Sequence, residues 1–221
     1  MLKILSVSDE VDPLVYSAAI QERYGDIDLV ISCGDLPYPY LDYIISSLNC
    51  PLYYVHGNHD ISRKTSSIDP DVYPLGGENL HRQISRGKDL ILAGIEGSIL
   101  YNRKSPYQYP QNKFWNFALG LIPGLLANKL KYGRFLDILV THAPPAGIHD
   151  RSDWAHQGIK AFRWLIKVFQ PAYHFHGHIH LYRPGEVRES AFGKTRVINT
   201  FRSWVLEIPD PGTSDKSEPA I

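Results

Sequence analysis

Cysteine is scarce: only Cys33 and Cys50 occur among 221 residues. Two thiols cannot build a disulfide framework, and in a chain of this size they read as reduced side chains of a cytoplasmic protein. An excess of one charge is also missing, since 23 Lys and Arg balance 23 Asp and Glu. A broad nucleic-acid surface needs a basic excess, so none is expected. No apolar run reaches the roughly 18–20 residues of a membrane helix. The nearest approach, 114–127, is interrupted by Asn116, Gly120, Pro123 and Gly124. The opening residues 1–8 are too short and too strand-like for a signal peptide, so none is expected. No internal repeat is visible. Hydrophobic residues make up 43% and charged residues 21%, which permits a packed core and excludes wholesale disorder.

The first sixty residues alternate in kind. Apolar runs at 2–8, 29–33 and 52–56 predict strands. Asp12 followed by Pro13 predicts a helix start, a capping carboxylate before a proline at the first helical position, with the helix running to Tyr24 and stopping at Gly25. Leu41, Ile44, Ile45 and Leu48 predict a second helix over 40–48. Strands alternating with helices point to an α/β fold with a mainly parallel sheet covered on both faces. Further strands are expected at 80–84 and 90–95, antiparallel around a turn at Gly87, and at 138–141, 173–176, 196–199 and 204–208. A helix is expected over 158–169, with Phe162, Leu165, Ile166 and Phe169 on one face. The domain is read as 1–208 and the Pro-, Gly- and Ser-containing segment 209–221 as a loose tail.

Segment 98–132 carries Tyr101, Tyr107, Tyr109, Phe114, Trp115, Phe117 and Tyr132 without a clear period. A packed insertion or cap over the rim of a site is the leading reading. A lipid-facing surface over 114–127 and a partner interface are the other two.

Ten histidines are present, four of them at alternate positions 174, 176, 178 and 180. The polar residues that follow the predicted strands are Asp9, Asp35, Asn58, His59, His142, His178 and His180. In a parallel sheet those strand ends lie along one edge, where ligands of open α/β sheets bind. Carboxylate, amide oxygen and imidazole together suit a borderline divalent cation such as Mn, Fe, Zn, Ni or Co. No thiolate is in the set, which argues against a closed structural zinc site. The donors are too many for one tetrahedral centre, so two cations are expected, with Asp35 the natural bridge. Such a pair is the clamp used for phosphoryl hydrolysis, and His59 is positioned to protonate a leaving oxygen. His56, His174 and His176 lie within strands and read as structural supports. Cys33 reads as a small buried apolar residue, His81 as an ordinary surface residue, and Asp60 as a group that orients a neighbour.

Asp9, Gly34-Asp35, Gly57-Asn58-His59-Asp60, His142 and Gly177-His178-Ile179-His180, in that order, resemble the motifs of the calcineurin-like metallophosphoesterase superfamily. The resemblance spans about 4–208. It implies a four-layer α/β/β/α sandwich of two mixed sheets flanked by helices. It implies that Asp9, Asp35 and His180 hold one metal and that Asp35, Asn58, His142 and His178 hold the other. It gives the attack on phosphorus to a metal-bridging hydroxide and gives His59 the role of general acid that protonates the leaving oxygen. His149, Asp150 and His156 fall in a segment that also looks like small members of the group, and they are expected at the substrate rim. One position departs from the pattern. Val11 stands where a histidine ligand is usual, so the first metal site is expected to be weaker, with manganese favoured. The resulting expectation is a metal-dependent phosphoesterase, with diesters ahead of monoesters or phosphoproteins as substrates. An inactive scaffold that keeps the fold for protein binding is the competing class. Oligomeric state is left open.

Overall fold

Along the first strand, even-numbered side chains enter one apolar cluster and odd-numbered ones another. Leu2 and Ile4 join Leu29, Ile31, Leu92, Val140 and Phe175, whereas Leu5 and Val7 join Val30, Leu41 and Ile44. That period of two is what a strand buried on both faces requires. The structure, a computed structural model, describes residues 1–60, 74, 76–102 and 105–211. Its elements run β1 (Leu2–Ser8), α1 (Ile20–Tyr24), β2 (Leu29–Ser32), α2 (Tyr38–Leu48), β3 (Leu52–Tyr54), β4 (Gly77–Asn79), β5 (Ile84–Gly87), β6 (Leu90–Ile95), β7 (Ser98–Ile99) and β8 (Gln108–Tyr109). Then follow α3 (Gln111–Tyr132), β9 (Ile138–Thr141), α4 (Lys160–Phe169), β10 (Tyr173–His176), β11 (Glu189–Phe192), β12 (Thr195–Asn199) and β13 (Arg202–Ile208).

Two mixed sheets form. The first has the order β13-β1-β2-β3-β4 and the second β11-β12-β10-β9-β6-β5. All neighbours are parallel except β13 on β1, β11 on β12 and β5 on β6, so each antiparallel pair lies at a sheet edge. Even-numbered residues of β1 and odd-numbered residues of β2 meet those of β6, β9 and β10 between the sheets. The outer face of the first sheet is covered by α1 and α2, and that of the second by α3 and α4. This is the four-layer α/β/β/α sandwich. Each fully buried Leu, Ile or Phe in these layers contributes about 1.5–3 kcal/mol relative to exposure.

Three expected elements differ. The helix expected from Asp12 onward is confined to Ile20–Tyr24, and 12–19 form turns. Asp12 Oδ1 accepts the Leu14 N–H at 2.8 Å and its other oxygen is held by Ser203 Oγ, so the carboxylate closes a local turn tied to β13. The strand expected at 80–84 is displaced to 84–87, because Gln83 N–H turns back to the Leu80 carbonyl and Arg82 takes a φ of 58°. The aperiodic aromatic segment contains a 22-residue helix, α3, which continues through Pro123. Its apparent lack of period comes from Gly124 on the packed side, where a Cβ would meet the Ile84 side chain, and from Gly120 and Pro123 on the exposed side. Phe114, Phe117, Ala118, Leu121 and Leu125 of α3 are buried against the second sheet and α4. Leu119, Leu126 and Leu130 of the same helix are exposed. The tail from 212 onward lies outside the described residues.

His174 sits in central strand β10 with no exposure, and its Nε2–H donates to Thr141 Oγ1 at 2.8 Å. Burial pushes its pKa down to about 3. The unfolded chain therefore takes up this proton first as pH falls, and stability is lost from about pH 6.5 downward, at about 1.4 kcal/mol per pH unit for one proton. His174→Gln, which keeps a donor to Thr141, is expected to show a shallower loss of Tm between pH 6.5 and 4. An unchanged slope contradicts this role.

Candidate metal centre

The carboxyl ends of five parallel strands converge where the two sheets abut. Asp9 follows β1, Asp35 follows β2, and Asn58 follows β3, all from the first sheet. His142 follows β9 and His178 follows β10, from the second. Acids thus come from one sheet and imidazoles from the other. Asp9, Asp35 and His178 take φ values of 66°, 58° and 68°. Such left-handed backbone is uncommon outside glycine, is best tolerated by residues such as Asp and His, and collects at functional sites. The loops can approach because Gly57 has no side chain: a Cβ there would run into the Asp35 carboxylate.

The inner cluster is made of acceptors. His142 Nδ1–H donates to the Cys33 carbonyl at 2.7 Å, which leaves its Nε2 lone pair facing inward. His178 Nε2–H donates to the Ala155 carbonyl at 2.9 Å, which leaves Nδ1 facing inward. These two bare nitrogens lie 3.1 Å apart. Asn58 Nδ2 donates to the Tyr101 hydroxyl at 3.0 Å, and its Oδ1 lies 3.0 Å from His142 Nε2. Asp35 Oδ2 is 3.4 Å from the same nitrogen. The ligand atoms of Asp35, His142 and His178 all lie within 4.8 Å of one another. Burial pushes the His142 pKa down to about 3 and that of His178 well below its usual value, so both rings are neutral. Neutral nitrogens and oxygens facing each other without a proton between them repel unless a cation joins them. The donor set therefore fits a divalent ion of the borderline class.

A second group sits beside it. The Asp9 carboxylate is almost inaccessible and accepts the His178 backbone N–H at 2.9 and 3.0 Å. Its Oδ1 is 3.8 Å from His180 Nε2. His180 is stacked on Phe201 at 4.9 Å, and its Nδ1 is bonded to the Tyr182 hydroxyl at 3.0 Å. Burial, and after it the Asp35 charge, raises the Asp9 pKa well above the carboxylate range. Burial raises Asp35 to about 6, and burial with the Asp35 charge raises Asp60 to about 7. Among the described residues, Asp35, His142 and His178 are the one group of carboxylate and imidazole side chains close enough to share an ion, and Asp9 with His180 lies beside that group without completing a second one. Val11 packs against the apolar cluster of α1 and α2, and Glu10 is bonded to Arg202 at 2.8 Å. Asp60 accepts the Gly57 N–H at 2.7 Å and the Leu36 N–H at 3.2 Å, which fixes the two ligand loops to each other.

His59 is exposed, and its backbone N–H donates to Asp35 Oδ1 at 2.7 Å. It lines a hollow of about 300 Å³ with Leu36, Pro37 and Tyr38. His156 has its ring 5.2 Å from that of His178 and is bonded to Asp153 at 2.7 Å. His149 and Asp150 line a larger hollow of about 590 Å³, whose wall also includes Ile179 and Leu181 on either side of His180. His149 is bonded to His176 at 2.8 Å and to Ser190 at 2.9 Å. Asp150 accepts the N–H groups of Gly147 and Gly158 at 3.0 and 3.2 Å.

Sequence reasoning missed the supports. Tyr101, grouped only as an aromatic, fixes the Asn58 amide, and the backbone carbonyls of Cys33 and Ala155, which carry no sequence signal, set the two imidazole tautomers. His81 is not a plain surface residue. It accepts the Glu96 N–H at 3.2 Å and meets Phe117 edge-on at 4.8 Å, because Glu96 follows β6 into the interior and needs partners there. Glu96 also binds His56 Nδ1 at 2.8 Å and the Tyr109 hydroxyl at 2.7 Å.

A family model described as calcineurin-like phosphoesterase matches residues 3–182, and the chain belongs to that family. Among solved structures, one chain superimposes with a TM-score of 0.62 at 15% identity, over 90% of each chain. The protein TT1561 of Thermus thermophilus superimposes with a TM-score of 0.58 at 16% identity, over 90% of this chain and 89% of that one. These likenesses show the fold. No curated protein matches the chain.

Gly57→Ala is expected to displace the Asp35 carboxylate and to weaken manganese binding by about 10–100-fold, the range seen when groups supporting a metal ligand are lost. Isothermal titration checks this. An unchanged affinity contradicts the placement of Asp35.

Proposed function

We propose that this chain hydrolyses phosphate esters, with diesters ahead of monoesters and phosphoproteins, using two divalent cations, manganese favoured. The observation that carries the reading is the acceptor-only cluster of Asp35, Asn58, His142 and His178 beside an exposed His59. Family membership supports the general class of metal-dependent phosphoester hydrolysis. Asp35, Asn58, His142 and His178 would hold one cation, and Asp9, Asp35 and His180 the other. Cations bound there supply polarisation of the phosphoryl oxygens and activation of water. With water as nucleophile, no side chain forms a covalent intermediate.

The residues of the chain do the positioning. The His59 backbone N–H on Asp35 ties the position of its ring to the ligand carboxylate. From the exposed side of that loop, the imidazole is placed to hand a proton to the departing oxygen. Asp60 holds the loop bearing His59 against the loop bearing Asp35. His156, against His178, is placed at the substrate side, whereas His149 and Asp150 act by holding the neighbouring loop. The substrate is the one partner proposed, and no broad nucleic-acid surface is part of the reading. No helix among the described residues is long and apolar enough to cross a membrane. The two free thiols favour a cytoplasmic setting. The competing reading, a scaffold without turnover, is favoured by Val11 alone.

Purified protein with manganese is expected to turn over bis-p-nitrophenyl phosphate faster than p-nitrophenyl phosphate. Turnover of neither under any divalent cation, with the fold intact, favours the scaffold. His59→Ala is expected to leave metal content unchanged and to slow esters with poor leaving groups by about 10²–10⁴-fold, with a smaller effect on nitrophenyl esters. Equal losses for good and poor leaving groups contradict the acid role.

A further inference from the structure

Trp154 is 64% exposed, although indole is among the side chains that gain most from burial. Its placement is nonetheless fixed, because Nε1–H donates to the Leu100 carbonyl at 3.1 Å, across 54 positions of sequence. Both ends of that bond are one residue from a group that touches the metal centre. Ala155, next to Trp154, accepts the His178 imidazole N–H at 2.9 Å. Tyr101, next to Leu100, receives the Asn58 amide at 3.0 Å. The indole therefore ties together the two segments that carry the supports of His178 and Asn58. His156, two residues on, places its ring 5.2 Å from His178. Among the described residues no ring packs on Trp154, whereas Trp115 and Trp164 pack on each other and Trp204 lies under Arg188.

We propose that Trp154 is a stacking platform for a planar aromatic group esterified to the phosphate of the substrate, with Tyr101 beside it. An exposed flat ring held at a fixed angle loses little freedom when a second ring covers it. Pinning through the ring edge leaves the π-faces available, which suits aryl esters over alkyl ones. Alkyl groups of the same size gain the area but not the offset-stacked geometry. The inference rests on the phosphoesterase reading, and it names the ester class that the same site prefers.

The test is a binding measurement on the full-length, manganese-loaded protein. Phenylphosphonate and cyclohexylphosphonate, alike in size but not in planarity and with no ester bond to cleave, are titrated calorimetrically. Phenylphosphonate is expected to bind about fivefold tighter. Trp154→Leu is expected to bring the two affinities within about twofold, and Trp154→Phe, which keeps a ring but loses the N–H, to retain the preference. Equal affinities in the unaltered protein, absence of binding, survival of the preference in Trp154→Leu, or its loss in Trp154→Phe overturns the proposal. Manganese affinity and thermal unfolding of each variant report whether the site survives the change. Failure of the activity reading appears separately, as absence of turnover on every ester, and does not alter the affinity ratio.

Discussion

Everything at the strand ends is arranged around a surplus of buried acceptors. His142 and His178 each spend their only N–H on a backbone carbonyl, Cys33 and Ala155 respectively, and present bare nitrogens 3.1 Å apart. Asp35 and Asn58 add oxygens to the same space, and Asp9 adds a carboxylate shut off from solvent. Burying a charge without a partner costs several kcal/mol, and crowding acceptors adds repulsion. A divalent cation removes both penalties at once. The raised carboxyl pKa values and lowered imidazole pKa values follow first from the burial of these groups.

The fold exists to bring that surplus together. Neither sheet could do so alone, since one contributes acids and an amide and the other contributes imidazoles. The apolar layer between them, from Ile4 and Ile31 to Val140 and Phe175, fixes their spacing. Left-handed backbone at Asp9, Asp35 and His178 then turns each ligand off its strand toward the seam. Gly57 and Asp60 lock the first-sheet loops to each other, and Tyr101 anchors the third. The Glu96–His56–Tyr109 cluster behind β3 supports the loop that carries Asn58 and His59.

The parts legible in the sequence were those written in side-chain order. The strands at 2–8, 90–95, 138–141 and 173–176 stand out because each is an apolar run, or an alternating one, bounded by turn residues. Asp9, Asp35, Asn58, His142 and His178 stand out because each follows such a run. Helix α3 was hidden because Gly124 interrupts its apolar face and Pro123, on its exposed side, reads as a helix breaker; only the approach of Ile84 explains the glycine. The two-sheet arrangement came from resemblance, since strand period alone cannot say which strands share a sheet. Carbonyl partners that set imidazole tautomers are invisible in principle, because every residue carries one. His149 and Asp150 are engaged in loop hydrogen bonds and line the hollow beside Ile179 and Leu181, partners that the sequence alone does not reveal.

The most direct measurement is anomalous diffraction from manganese-soaked crystals. The account predicts a peak at coordination distance from His142 Nε2, His178 Nδ1, Asp35 and Asn58 Oδ1, with a second, weaker peak between Asp35, Asp9 and His180. A well-ordered structure with no peak at that seam, or with manganese bound only elsewhere, would contradict it.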